Sequence, residues 1–186
     1  TIKSQIVAKT KLFRCTSDVF FNRYADNQIT DTVNIAFIDG LHEYKQVFRD
    51  VINVAQYCDE NSIIILHDVV PPDQKSALPN RKTVFWPGDV YKVLPLIHTT
   101  YPNVEIDIVR TAQSGLAVLT NVNTIRNHNI KADDSNNSIS KNVEKFDTLS
   151  VREYFEEWLP KFDSINEKFV DADRIRDIVQ EKFVKI

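Results

Sequence analysis

The chain has 186 residues, 42% hydrophobic and 26% charged, with a formal net charge of -3, which is enough apolar material for one domain with a sizeable core. Its mild acidity gives no electrostatic case for nucleic acid or an anionic membrane as partner. The longest apolar run, around Ile63 to Leu66, is far short of the roughly 20 residues a membrane helix needs, and the N-terminus shows no signal-peptide pattern, so a soluble cytoplasmic protein is expected.

In chain order, the first clear pattern is Val33 to Ile38, VNIAFI, a short and mostly apolar run rich in β-branched residues, as in a strand buried on both faces. It stops at Asp39-Gly40. From Tyr44 to Cys58 the apolar residues Val47, Phe48, Val51, Ile52, Ala55 and Cys58 recur at helical spacing. Lys45, Gln46, Arg49, Asp50, Asn53 and Gln56 lie opposite, which predicts an amphipathic helix. Ser62 to Leu66 reads as a second buried strand. Strand, helix and strand then make a βαβ unit with parallel strands.

Beyond it, Pro71, Pro72, Pro79 and Pro87 mark a long irregular connection of the kind that covers something in a compact domain. Gly88-Asp89 predicts a helix through Leu94 with Asp89 as its N-cap, which Pro95 kinks or ends. Val104 to Thr111 and Leu116 to Thr120 read as strands on either side of the turn-forming Gln113-Ser114-Gly115, so a hairpin closes the sheet. Asn121 to Asp147, rich in Asn, Ser, Asp and Lys, is predicted to be a polar loop or linker. Ser150 and Glu153 form a capping box ahead of Val151, Tyr154, Phe155, Trp158, Leu159 and Phe162. A further amphipathic stretch carries Ile175, Ile178, Val179 and Phe183. The implied organisation is an α/β domain over residues 1–120, a polar linker over 121–147 and a helical C-terminal extension over 148–186.

Two strand ends carry clustered ionisable groups: FIDGLHEY, Phe37 to Tyr44, and IIILHDVVPP, Ile63 to Pro72. In a parallel α/β sheet the carboxyl ends of the strands form one edge, where ligands bind, so Asp39 and His67-Asp68 are expected side by side there. Carboxylate oxygens suit a hard divalent cation such as Mg²⁺, while an imidazole suits a transition metal or acts as a base. His42 is the other candidate base, because an unperturbed imidazole titrates near pH 6.5. Taken singly, each end has a structural explanation, Asp-Gly as a turn and Asp68 as a cap. Two such ends in one βαβ unit favour a functional site. Trp86 either lines the substrate side of the Pro-rich loop or anchors it. Tyr44 packs as the helix's first apolar position, and His98 and His128 are expected in solvent. Cys15 and Cys58 lie in no metal-ligand spacing and are expected as reduced thiols.

The blocks FIDGLHEYKQVFRDV, IIILHDVVPP and WPGDVYKV together resemble the class I S-adenosylmethionine-dependent methyltransferases, in particular a small bacterial-type branch. FRCTSDVFF, Phe13 to Phe21, is similar to the family's G-T-S-x-x-F-F segment, with Cys15 where the family usually has glycine. SGLAV, around Gly115, is similar to the start of its last strand. The resemblance spans about Phe13 to Thr120. It implies a Rossmann-like sheet with the fourth to seventh strands present, the last antiparallel. It also implies S-adenosylmethionine as cofactor, with Ser17 and Asp18 near its adenine and Asp39 at the methyl-transfer centre. Related catechol-type enzymes hold a divalent cation at positions corresponding to Asp39, His67 and Asp68. The catalytic candidates are Asp39, His42 and His67, acting on a hydroxyl of a small molecule or sugar.

The family's glycine-rich loop and its ribose-binding acidic residue should lie before Phe13, yet the twelve residues there contain neither glycine nor an acid. Gly40, Gly88 and Gly115 are the only glycines and lie too far apart for a G-x-G-x-x-G turn. The expectation is a C-terminal part of a longer methyltransferase, or a decayed copy that grips the cofactor weakly. Two alternatives follow from other classes. One is a non-catalytic interaction module presenting Tyr154, Phe155 and Trp158 to a partner. The other is a metal-dependent hydrolase using the same carboxylates. Partners are expected to be a small-molecule substrate and, through the C-terminal helices, a second copy of the chain.

Overall fold

The computed structural model describes residues 9–111, 113–127 and 132–162. The chain divides into two compact units, Thr1–Thr30 and Asp31–Ile186. In the first unit, helix α1 (Ser17–Arg23) starts at Thr16, whose side chain accepts from the Val19 N–H, and is followed by the short α2 (Ala25–Gln28). Phe13 packs edge-on against Phe20, with ring centroids 4.9 Å apart.

The second unit is built on a four-stranded sheet in the order β1-β2-β4-β3. β1 (Ile35–Ile38) and β2 (Ile63–His67) are parallel, with Ile35 opposite Ile63 and Ile38 opposite Leu66. Helix α3 (Tyr44–Ala55) connects them, so the βαβ unit forms as its periodicities predict, with the helix ending before Cys58. β3 (Glu105–Val109) and β4 (Leu116–Thr120) form the hairpin, and β4 inserts antiparallel between β2 and β3. This is the Rossmann-like α/β sheet with its last strand reversed. The turn between them needs Gly115. Its φ is +65°, and a Cβ there would stand 2.8 Å from the Val70 side chain.

Because strand side chains alternate, Ile38, Ile64, Leu66, Ile108 and Leu119 share one sheet face and enter the main core with Val47, Phe48 and Val51 of α3. A 3₁₀ turn (Val90–Lys92) leads into α4 (Val93–Thr100), which adds Val93, Leu94, Leu96 and Ile97. Pro95 neither kinks nor ends this helix. It falls in the first turn, where the missing N–H forfeits no bond of α4.

The described residues of the stretch 121–147 are mostly helical rather than loop. They form α5 (Asn123–Asn127) and α6 (Ala132–Asp147). Ile139, Val143 and Phe146 of α6 recur at i, i+4 and i+7 and pack on the core, so three apolar side chains suffice to seat an otherwise polar helix. The Ser150–Glu153 capping box forms at the start of α7 (Val151–Glu153), with Ser150 N–H donating to Glu153 Oε2 at 2.9 Å. The helix widens into a π turn (Tyr154–Trp158) and closes as α8 (Leu159–Phe162). Pro160, just beyond the wide turn, has no N–H to donate to the i−4 carbonyl an α-helix would need.

Tyr154 is fully buried in the core and donates to the Val69 carbonyl at 2.9 Å, and Trp158 is partly buried against the same core. Only Phe155 is exposed, at 37%, so these aromatics are packing residues rather than a presented surface. Both thiols are free, Cys58 buried and Cys15 exposed. The expected amphipathic stretch at Ile175 to Phe183, and His128, lie outside the described residues. No helix among the described residues is long and apolar enough to cross a membrane.

Candidate functional site

The register Ile38 opposite Leu66 brings the next residues, Asp39 and His67, level with each other at the carboxyl edge of the parallel pair. β2 runs one residue further than its apolar stretch predicts, so His67 is its last residue and Asp68 the first beyond it. Asp68 turns the chain with φ +64°, a left-handed conformation that aspartate tolerates better than most residues. The turn buries its carboxylate to 3% exposure.

Four groups converge there. His67 Nδ1 lies 3.5 Å from Asp39 Oδ1 and 3.1 Å from Asp68 Oδ1, while His42 Nε2 lies 3.7 Å from Asp39 Oδ1 and its Nδ1 3.2 Å from Asp68 Oδ2. The His67–Asp68 approach lacks hydrogen-bond geometry: His67 Nδ1 and Asp68 Oδ1 are both buried without a hydrogen-bond partner. A buried polar atom without a partner is costly, and Asp68 Oδ1 is an electron-pair donor that a cation would satisfy. Asp39, His42 and Asp68 each offer a ligand atom, all within 4.8 Å of one another. His42 thus joins the two aspartates in the metal-capable group, with His67 beside it. The residues fit a divalent cation.

The segment Trp86 to Asp89 covers this cluster. His42 Nδ1 lies 2.6 Å from the Trp86 carbonyl, and the two rings stack with centroids 5.3 Å apart. Trp86 Nε1–H donates to the Leu78 carbonyl at 2.6 Å, so Trp86 both anchors the Pro-rich loop and walls the site. A cavity of about 450 Å³ opens between the strand ends and this loop, lined by Asp39, His42, His67, Asp68, Arg81 and Phe85 among others. Arg81 donates to the Val84 carbonyl at 2.7 Å, which shapes the loop's own turn.

Residues 4–69 match a family model described as a methyltransferase domain. Over that stretch the chain is similar to methyltransferase domains. The match covers about a third of the chain and includes α1, β1, α3 and β2 with Asp39, His42, His67 and Asp68. No curated protein and no solved structure matches the chain. Domains of this family use S-adenosylmethionine as methyl donor. Ser17 and Asp18, the residues implied to lie at its adenine, open α1 in the Thr1–Thr30 unit.

Behind the strand-end cluster lies a polar network that the sequence patterns do not reveal. Asp89 does not cap its own turn. Its Oδ1 accepts from the Tyr44 N–H at 3.0 Å, supplying the cap that Glu43 at the α3 N-cap position does not. Lys92, 6% exposed, donates to the Asp147 carbonyl at 2.8 Å and stands 3.5 Å from Asp89 Oδ2 and 5.4 Å from the Tyr44 ring centre. The Tyr44 hydroxyl donates to Asp147 Oδ1 at 2.6 Å. Burial, and then the Asp147 carboxylate, push that hydroxyl well above the usual phenol range. Lys45, and then Tyr44, hold the Asp147 carboxyl below the usual carboxylate range. His98 is exposed on α4 and meets the edge of Phe162 with centroids 5.5 Å apart.

Proposed function

We propose that this domain methylates a hydroxyl of a small molecule, and that the strand-end cluster is where the acceptor is activated. The observation that carries this is the convergence of Asp39, His42, His67 and Asp68 beneath a loop that closes one side of a cavity. O-methyl transfer asks little of a protein beyond aligning the acceptor oxygen with the methyl group and managing its proton. The cavity supplies the enclosure, with Asp39 in its lining.

Asp39, His42 and Asp68 would hold a divalent cation, with His67 beside them. A bound cation there would lower the acceptor hydroxyl's pKa. The buried, unpartnered Asp68 Oδ1 favours this arrangement. A second arrangement is favoured by the His42–Trp86 bond: with Nδ1–H held by a carbonyl, Nε2 keeps its lone pair and accepts the acceptor's proton directly. A metal-dependent hydrolase is disfavoured, because the family match over residues 4–69 is to a methyltransferase domain.

The test is transfer of labelled methyl from S-adenosylmethionine to a panel of hydroxylated small molecules, with and without chelator. Loss of transfer in chelator, restored by Mg²⁺ or Mn²⁺, supports the cation. Transfer that ignores chelator but falls about 10² to 10⁴-fold in His42→Ala supports the base. Transfer untouched by chelator and by Asp39, His42 and Asp68 replacements would overturn the assignment.

A further inference from the structure

We infer that Trp86, Gly88 and Asp89 act as a clamp that positions His42, fixing its imidazole in the Nδ1–H tautomer so that Nε2 presents its lone pair to the cavity. The role of Nε2 in methyl transfer rests on the function proposed above; the clamp itself does not. Two oxygens face Nδ1, the Trp86 carbonyl at 2.6 Å and Asp68 Oδ2 at 3.2 Å. A carbonyl and a carboxylate only accept, so the nitrogen between them carries the proton. The neutral ring therefore leaves Nε2 without hydrogen, toward Asp39 Oδ1 at 3.7 Å. The same arrangement, one ring nitrogen donating to a backbone carbonyl and the other free, is the one that orients metal-ligating histidines.

Three contacts from one short segment hold the ring there. The Trp86 indole stacks on it with an interplanar angle of 22°. Gly88 lets the backbone come so close that a Cβ would lie 2.0 Å from the His42 carbonyl oxygen and 2.8 Å from its Cβ. Asp89, the residue after Gly88, accepts from the Tyr44 N–H and ties down the chain two residues after His42. Trp86, Gly88 and Asp89 are thus positioning residues. None of the three is required to meet the substrate.

The experiment is ¹⁵N NMR of the chain labelled at histidine, with the imidazoles neutral, on wild type, Gly88→Ala, Trp86→Ala and Asp89→Asn. Expected is a His42 Nδ1–H signature in wild type that shifts toward the Nε2–H tautomer in Gly88→Ala and Trp86→Ala while His98 stays unchanged. Asp89→Asn, which keeps an oxygen acceptor for Tyr44, should retain the native signature. A wild-type His42 in the Nε2–H tautomer would overturn the clamp, as would a His42 spectrum indifferent to both Gly88→Ala and Trp86→Ala. Should Gly88→Ala fail to fold, Trp86→Ala carries the test alone. In an active preparation Gly88→Ala and Trp86→Ala should lower kcat at least about tenfold with the KM for S-adenosylmethionine unchanged. A tautomer that responds as expected in a chain that transfers no methyl group supports the clamp and counts against the proposed function.

Discussion

Gly88 packs against the His42 carbonyl so closely that a side chain there would overlap it, the hypothetical Cβ falling 2.0 Å from the oxygen. Gly88 also holds φ +64°. Gly40 does neither, for a Cβ there meets nothing nearer than Asp50 Oδ2 at 4.0 Å. Gly88→Ala should therefore destabilise the fold by at least about 1–3 kcal/mol, the ordinary range for a strained backbone, with the overlap added. Gly40→Ala should stay within about 0.5 kcal/mol of wild type. Urea melts of the two variants check this, and equal shifts would show that the backbone crossing at His42 is not close-packed.

Cation binding has a readout that needs no substrate. If Asp39, His42 and Asp68 hold a divalent ion, Mn²⁺ at about one hundred times its Kd should stabilise the chain by roughly 2.7 kcal/mol, seen as a rise in Tm. Asp68→Ala should abolish that rise, and Asp68→Asn, which keeps one neutral oxygen ligand, should shift it to higher metal concentration. A Tm indifferent to Mn²⁺ and Mg²⁺ would leave the unpartnered Asp68 Oδ1 without a cation to explain it.

How much of this was legible follows from which interactions are local. Asp39 and His67-Asp68 could be read because a parallel strand pair and its carboxyl edge are written in short apolar runs and their stopping points. The placing of His42 could not. Its bond to Trp86 spans 44 residues through a Pro-rich loop without periodicity. The Tyr44–Asp147 bond, 103 residues apart, is further still from any local pattern. α6 was misread because Ile139, Val143 and Phe146 are few among Asn, Ser and Asp, although their spacing was helical. Pro95 was misjudged because its effect depends on where the α-helix begins, and the preceding 3₁₀ turn sets that.

Asp147 supplies a pH dependence whose sign is fixed by its partners. Lys45 Nζ stands 2.7 Å from Oδ1, and Lys45 followed by Tyr44 lowers its carboxyl in the folded chain. A carboxyl depressed on folding contributes stability that is present above its unfolded pKa and is lost as pH falls through the folded value. The side chain is 43% exposed, so solvent screening keeps the contribution to no more than about 1 kcal/mol. Asp147→Asn should be less stable than wild type at neutral pH, and the difference should vanish below the usual carboxylate range. A difference that persists undiminished into acid would assign the role of Asp147 to hydrogen bonding rather than charge.

Lys92 and Asp89 form the buried pair on which the α3 cap depends, with side chains 8% and 6% exposed and 3.5 Å between Nζ and Oδ2. Removing the carboxylate strands a buried ammonium and unmakes the cap to Tyr44, so Asp89→Ala should cost about 3–5 kcal/mol. Lys92→Met removes the charge yet fills much of the same space, and leaves Asp89 its backbone donor, so it should cost less. Once Lys92 is methionine, Asp89→Ala forfeits chiefly the cap, about 0.5–2 kcal/mol. The double-mutant cycle should therefore be non-additive by about 1 kcal/mol or more, in the direction of relief. Urea denaturation of the two single variants and the double variant measures it. Strict additivity would mean that the Lys92 ammonium is satisfied by the Asp147 carbonyl alone, and that Asp89 serves α3 without any help from the lysine beside it.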